Sequence, residues 1–282
     1  MRFRSLLFVP GDRPERMEKA LGYGADALIL DLEDSVAASA KTKAREAVAA
    51  FLKQAVRSVP LLVRINPLDS EFAEADLTAI AGAAPDGIVL PKAEGAATLA
   101  ELDRRLAGFG DMKSMILPIA TETPGAIFSL GNYGGVTPRL CGLTWGAEDL
   151  PAAIGATTSR MPDGSFTPPY EFARALTLFG AHAAGVPAIE TVFPDFRNEA
   201  GLAAYAARGR RDGFTGMMAI HPVQVAVINA AFTPSDSEIA QARAIIAAFD
   251  ANPGTGALQL DGKMIDAPHL KLARRIIAQL GE

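Results

Sequence analysis

Short aliphatic runs of four to seven residues alternate along the chain with longer stretches whose apolar residues recur at helical spacing. The runs at 5–9, 27–32, 61–66, 87–90, 115–120, 140–145, 187–192 and 216–220 have the length and turn-bounded character of buried strands. Helical spacing fills 13–22, 40–55, 71–83, 95–107, 124–130, 170–184, 198–208 and 222–231, one segment after each strand. Eight strand–helix pairs in about 230 residues predict an α/β fold of the (β/α)8 TIM-barrel type, which typically takes about 250 residues. An open doubly wound sheet fits less well. Val9-Pro10-Gly11-Asp12 after the first strand is a turn, not the glycine fingerprint of a dinucleotide site.

The barrel is expected to occupy residues 1–232, leaving 233–282 as a C-terminal helical extension. There Ser235 or Asp236 is placed to cap a helix over 237–249. A loop follows at Asn252-Pro253-Gly254-Thr255-Gly256, and a final amphipathic helix covers 267–280. So short a piece must pack on its own barrel or on a neighbour's.

Composition narrows the class without changing this picture. Of 282 residues, 49% are hydrophobic and 21% charged, which is a globular balance that excludes disordered and fibrous chains. Gly (26) and Pro (19) are plentiful, as many tight turns require. The net charge of −5 argues against bulk nucleic-acid binding. Cys141 is the single cysteine and cannot form an internal disulfide. The apolar stretch of MRFRSLLFV is too short for a signal peptide, and no run of 18 apolar residues suggests a membrane span. The expectation is a soluble, cytoplasmic protein.

In a barrel the chemistry belongs at the C-terminal ends of the strands. Strand 2 ends in Asp31-Leu32-Glu33-Asp34, strand 3 carries Arg64, strand 4 ends in Pro91-Lys92, strand 5 in Thr121-Glu122, strand 6 in Gly146-Ala147-Glu148-Asp149 and strand 8 in His221. Any one of these charges is also what a solvent-facing strand end carries; their convergence on one rim is the signal. Asp31 and Glu33 share a face of an extended strand. Arg64, inside Leu62-Val63-Arg64-Ile65, needs an anion if it is buried. Glu122 and Asp149 end neighbouring strands and repel unless a proton or cation lies between them. A hard ion such as Mg²⁺ suits two carboxylates plus substrate oxygens. Zinc suits the chain poorly, because His182, His221 and His269 are scattered and Cys141 lies within a strand. Lys92 is placed to form a Schiff base or, as the weightier reading, to pair with Asp31 or Glu33. His221 either binds ligand or structures the loop before Pro222.

Taken together, LFVPGDRPERMEKA, DALILDLEDSV with KTKAR, LVRINP, GIVLPKAE, ATETPGAI, LTWGAEDL, GFTGMMAIHPVQ and DGKMIDAPH resemble the citrate lyase β-subunit family of CoA-ester lyases, within the HpcH/HpaI aldolase superfamily. The resemblance covers essentially the whole chain. It implies a Mg²⁺-dependent barrel, with Mn²⁺ as the alternative ion, that cleaves or forms citryl-, malyl- or citramalyl-type CoA thioesters. The products would be acetyl-CoA or propionyl-CoA and a 2-oxoacid such as oxaloacetate, glyoxylate or pyruvate. Glu122 and Asp149 would ligate the metal, Arg64 would hold the enolate or thioester oxygen, and Asp31 and Glu33 would sit behind the metal's waters, with Lys92 beside them. Asp266 matches a tail acid that, in related lyases, reaches a neighbouring subunit's site, in a homotrimer or hexamer. Coenzyme A would come as part of the substrate. Arg13, Lys41 and Arg45 lie where its phosphates could approach, although solvated surface charge explains them equally. Other readings are a thioesterase on the same site, a β subunit of a multi-component citrate lyase, and a CoA-independent aldolase. Glu190 stands where the family pattern more usually has Asp, and its extra length is expected to narrow the acyl pocket or alter a loop contact.

Overall fold

A computed structural model of the chain describes residues 3–54, 56–111 and 113–280. Arg2 and Ala55, both used in the sequence reading, lie outside the described residues. The first compact unit runs to Phe232 and the second begins at Thr233.

In the first unit the strands are β1 Ser5–Pro10, β2 Ala27–Asp31, β3 Leu61–Arg64, β4 Gly87–Leu90, β5 Met115–Pro118, β6 Leu143–Thr144, β7 Ala188–Glu190 and β8 Gly216–Ala219. Between and after them lie α1 Pro14–Ala20, α2 Lys41–Gln54, α3 Ala73–Ala81, α4 Ala96–Gly108, α5 Pro124–Ile127, α6 Leu150–Ile154, α7 Pro168–Ala183, α8 Glu199–Asp212 and α9 Val223–Ala231. The strands form one parallel 8-stranded sheet in the order β5-β4-β3-β2-β1-β8-β7-β6. Parallel bridges Ile116–Leu140 and Ile119–Thr144 join its two ends, closing the TIM barrel.

Strand alternation sorts the apolar side chains into two layers. Leu6, Ile29, Leu62, Val89, Leu117 and Ile189 fill the barrel interior. Leu7, Leu28, Leu30, Val63 and Ile88 point outward onto helix residues such as Val48, Leu52, Leu77 and Leu99. Burial on both faces explains why the strands read as continuous aliphatic runs. The inward row matters most. In β2 it runs Ala27, Ile29 and then Asp31, and in β3 it passes from Leu62 to Arg64. The register sets Asp31 directly beside Arg64.

The sixth strand is shorter than 140–145, because only Leu143 and Thr144 pair continuously with β7. Helix α6 was not expected from the sequence. It is one short turn behind Asp149 and too brief to show a period.

The second unit contains α10 Asp236–Asp250, β9 Ala257–Leu260, β10 Lys263–Asp266 and α11 Ala267–Ala278. Ser235 is the cap of α10, and with Glu238 it forms a reciprocal capping box. Ala242, Ile245, Ile265 and Ala273 make a small core of its own. The β9–β10 hairpin is an addition to the expected pair of helices. Its Asp261-Gly262 turn has φ of 49° and 77°, the conformation that favours an Asp-Gly pair.

Gly216 marks the seam between β1 and β8, where an added Cβ would lie 1.8 Å from the Phe3 carbonyl oxygen. Gly216→Ala is therefore expected to cost about 3 kcal/mol of stability by forcing backbone apart. Chemical denaturation reads this directly; an unchanged midpoint would show that the seam gives way without penalty.

Candidate active site

The barrel mouth is organised by a buried ion pair. Arg64 Nε donates to Asp31 Oδ1 and Nη2 to Oδ2, each at 2.7 Å. The same carboxylate accepts the backbone N–H of Glu33 at 2.9 Å and of Ser35 at 3.0 Å. Burial by itself would raise the Asp31 pKa, but the bonds and charge of Arg64 hold it below the usual carboxylate range. The guanidinium lies over the Phe8 ring, 4.8 Å from its centroid. Its Nη1 is 2.9 Å from Glu33 Oε2 and 3.3 Å from Asp34 Oδ2. Removing one partner of such a pair typically costs about 3–5 kcal/mol, because the other charge stays buried.

A second group of acids stands across the mouth. Glu122, 4% exposed, follows β5, and its Oε2 accepts the Lys92 backbone N–H at 2.6 Å. Burial pushes its carboxyl up to about 8 despite that bond. Lys92 has φ of 49°, a left-handed conformation that costs a residue with a side chain about 1–2 kcal/mol. Its ammonium is 3.2 Å from Glu33 Oε1 and 3.8 Å from Asp149 Oδ1. Burial raises the Glu33 carboxyl to about 7, against the pull of Arg64 and Lys92. The Thr121 hydroxyl and the Gly146 backbone exchange hydrogen bonds of 3.1 and 3.0 Å, tying the ends of β5 and β6 together. Gly146 must lack a side chain here, since a Cβ would lie 2.7 Å from Glu122 Cγ and 3.0 Å from Oε1.

Asp31, Arg64, Glu122 and Asp149 line one cavity of about 380 Å³. Among the described residues no cluster of three or more His, Cys, Asp or Glu makes a complete metal cage. Two oxygen donors opening on a cavity fit a hard divalent ion that takes its remaining ligands from water and substrate. The raised Glu122 pKa agrees: a buried carboxyl beside Asp149 needs either a proton or a cation.

Asp34 and Glu148, named on the rim from the sequence without a role, reach the cavity, and so do Ser35, Thr191 and Phe8, which were not singled out. Phe8 follows the inward Leu6 at i+2, so its period was readable; its place under a guanidinium was not. Nothing in Pro91-Lys92-Ala93 announces a left-handed lysine.

The structure corrects four expectations. Lys41 is not open to a phosphate: its buried ammonium donates to the carbonyls of Leu32 and Glu33 and to Asn66 Oδ1, fixing the loop after β2. Arg45 is spent on the fully buried Asp76, at 2.7 Å. The oxygens of Asp31 carry four hydrogen bonds, two from Arg64 and two from backbone, which saturates them and leaves no place for a metal's water. Glu33 differs, because its buried Oε2 has no aligned hydrogen bond. Glu190 does not narrow the cavity. It alternates with inward Ile189 and so turns outward, accepting from Trp145 Nε1 (2.5 Å), Arg174 Nε (2.7 Å) and Tyr205 OH (2.8 Å). It thereby anchors Trp145, which immediately precedes Gly146.

The remaining residues fall elsewhere. Arg13, with a 57% exposed side chain, sits beside Asp12 on the loop after β1. His221 stacks on Phe196 at 4.5 Å and accepts the Val223 N–H, as a loop-structuring residue does. Burial raises the Cys141 thiol to about 12, so it is no nucleophile. Asp266 belongs to the second unit, where it caps α11 and lies 2.5 Å from His269 Nδ1.

Residues 4–222 match the family model for HpcH/HpaI aldolase/citrate lyase, and residues 172–280 match a model for a C–C bond lyase of the TIM-barrel fold. The chain is 34% identical to the citrate lyase subunit beta of Haemophilus influenzae, covering 97% of this chain and 95% of that protein. It is 35% identical to a (3S)-malyl-CoA thioesterase of Cereibacter sphaeroides, over 98% and 94% of the two chains. Among solved structures, CitE from Mycobacterium tuberculosis in complex with magnesium, acetoacetate and coenzyme A superposes with a TM-score of 0.86 at 33% identity, over 100% of this chain and 99% of that one.

The contact between Gly146 and Glu122 gives a specific expectation. Gly146→Ala should keep the fold, as read by circular dichroism, and weaken Mg²⁺ binding in calorimetry by about tenfold, because Glu122 must move. Undiminished affinity would show that Glu122 is not held against Gly146 for that purpose.

Proposed function

The chain belongs to the HpcH/HpaI aldolase/citrate lyase family and is a carbon–carbon lyase of it, and from that premise we propose a Mg²⁺-dependent enzyme that cleaves or forms a 3-hydroxyacyl-CoA thioester. Acetyl-CoA or propionyl-CoA and a 2-oxoacid are the partners of that reaction. The observation that carries the reading is the shared cavity, which joins the Glu122–Asp149 carboxylates to a guanidinium locked in place by Asp31.

Glu122 and Asp149 would hold the ion, which supplies Lewis-acid polarisation of the 2-oxoacid carbonyl and its neighbouring carboxylate. Arg64 lines the cavity with one edge fixed by Asp31, so a remaining N–H would be available to the thioester oxygen, where enolate charge develops. A donor already fixed in place needs no reorganisation as that charge appears. Phe8 below and Glu33 beside it keep the guanidinium from swinging out. Lys92 steadies Glu122 through its backbone and bridges Glu33 and Asp149 through its ammonium.

The enolate carbon needs a proton donor, and in the reverse direction the acyl methyl needs a base. We assign this to Asp266 of a neighbouring chain in a homotrimer or hexamer. Its place at the end of the short β10 strand, immediately before α11, supports the role. Arg13 is left as the candidate contact for a coenzyme A phosphate, as it is exposed and next to a barrel loop.

The similarity to a (3S)-malyl-CoA thioesterase favours a second reading, in which water takes the acyl group and the C–C bond survives. Product stoichiometry separates the two. With malyl-, citryl- or citramalyl-CoA and Mg²⁺, the lyase releases 2-oxoacid without free thiol, whereas a thioesterase releases thiol without 2-oxoacid. The same assay on mixed oligomers tests the shared site. Asp266→Asn and Arg64→Ala should each be nearly inactive, with part of the turnover restored when the two are mixed. No rescue in verified mixed oligomers would mean that Asp266 acts within its own chain or not at all.

A further inference from the structure

We propose that Glu190 is a positioning residue for the metal site, acting through the indole of Trp145 on the segment 146–149, which packs against Glu122 and carries Asp149. The proposal rests on the Mg²⁺ reading above and deepens it.

The strand itself creates the need. Pairing between β6 and β7 ends at Thr144 and Ile189, so the sheet's ladder does not reach Trp145 or the residues beyond it. On the β5 side the Thr121 hydroxyl accepts the Gly146 N–H. On the other side Trp145 Nε1 donates to Glu190 Oε1 at 2.5 Å, and the indole packs edge-on against Phe166 with ring centroids 5.0 Å apart. An indole held at both its N–H and its ring fixes the peptide that follows it. That peptide leads to Gly146, whose missing Cβ leaves room for Glu122. Glu190 Oε1 also accepts the backbone N–H of Thr191 at 3.1 Å, and Thr191 and Gly146 both line the cavity. One carboxylate oxygen thus sets two pieces of the cavity wall from behind.

The cost of the arrangement indicates more than packing. Glu190 is wholly buried, with Arg174 Nε at 2.7 Å as its counter-ion, and Arg174 Nη1 continues to Asp212 at 2.7 Å. Apolar residues fill such a space without taking charges out of water. Helix α8 gives up a side chain to the same end. An added Cβ at Gly209 would lie 3.2 Å from Glu190 Oε2, and glycine inside a helix is a poor helix former. Gly209 makes room for Glu190 as Gly146 makes room for Glu122. Gly209, Glu190, Trp145, Gly146 and Glu122 therefore form a series from the helix layer to the site, each step a direct contact or a single peptide bond.

Trp145→Phe keeps a ring and removes the N–H. It should weaken Mg²⁺ binding in calorimetry by about tenfold, the lower end of what losing a partner behind metal ligands costs, with an unchanged circular dichroism spectrum. Turnover should recover as Mg²⁺ is raised to saturation, because the loss is one of affinity. Gly209→Ala disturbs the series from its other end and leaves Trp145 in place. Alanine is the better helix former, so the unfolding midpoint should hold while Mg²⁺ affinity falls. Trp145 is the single tryptophan, and its emission gives an independent readout. Mg²⁺ should shift it in the unaltered protein with the midpoint found by calorimetry, and Gly209→Ala should move that midpoint to higher Mg²⁺. Native Mg²⁺ affinity in Trp145→Phe, or in Gly209→Ala if the first variant does not fold, would overturn the inference and leave the metal reading intact. No Mg²⁺ binding by the unaltered protein would overturn both.

Discussion

The barrel mouth depends on the bond between Asp31 and Arg64. Two charges buried at the inward positions of neighbouring strands are tolerable only as a pair, and the parallel register of β2 and β3 sets them side by side. Once paired, they fix much else. The carboxylate gathers the backbone of Glu33 and Ser35 into a turn, and the guanidinium covers Phe8 at the top of the interior layer. Arg64 is thereby held rigidly with part of its donor set unspent, which is what an electrostatic catalyst requires. The buried ammonium of Lys41 braces the same loop from behind, and Arg45 braces Asp76, whose carboxylate holds Asn66.

A different economy governs the far side of the mouth. Glu122, Asp149 and Glu33 are acids in excess of the cations that touch them, and burial leaves Glu122 and Glu33 with carboxyls raised to about 8 and about 7. Near neutral pH such groups take up a proton or a metal ion. The left-handed backbone at Lys92 and the missing Cβ at Gly146 are local costs that bring Glu122 into position. One half of the mouth is a closed ion pair and the other is open to a cation, and a reaction that divides charge between a 2-oxoacid and a thioester enolate uses both.

Much of this was readable in the sequence because of periodicity. Both faces of the strands are buried, so eight aliphatic runs stood out, and each ionisable strand end fell on the rim that the fold makes reactive. The family motifs then supplied roles for Arg64, Glu122 and Asp149. Side-chain direction was less legible. Lys41 and Arg45 read as exposed cations because both lie near a helix start, yet each turns inward to satisfy buried acceptors. Glu190 stood out because the family pattern more usually has Asp there, with a narrower acyl pocket or an altered loop contact as the expected effect; as the immediate neighbour of inward Ile189 it lies on the outer face. The β9–β10 hairpin had its Asp-Gly signal but too little alternation beside it to stand out from a loop.

Mn²⁺ binding followed by electron paramagnetic resonance tests most directly whether Glu122 and Asp149 hold a cation between them. One equivalent per chain should bind to the unaltered protein, and the Glu122→Gln, Asp149→Asn double variant should lose it while keeping its circular dichroism spectrum. One equivalent still bound with unchanged affinity in the double variant would contradict the assignment.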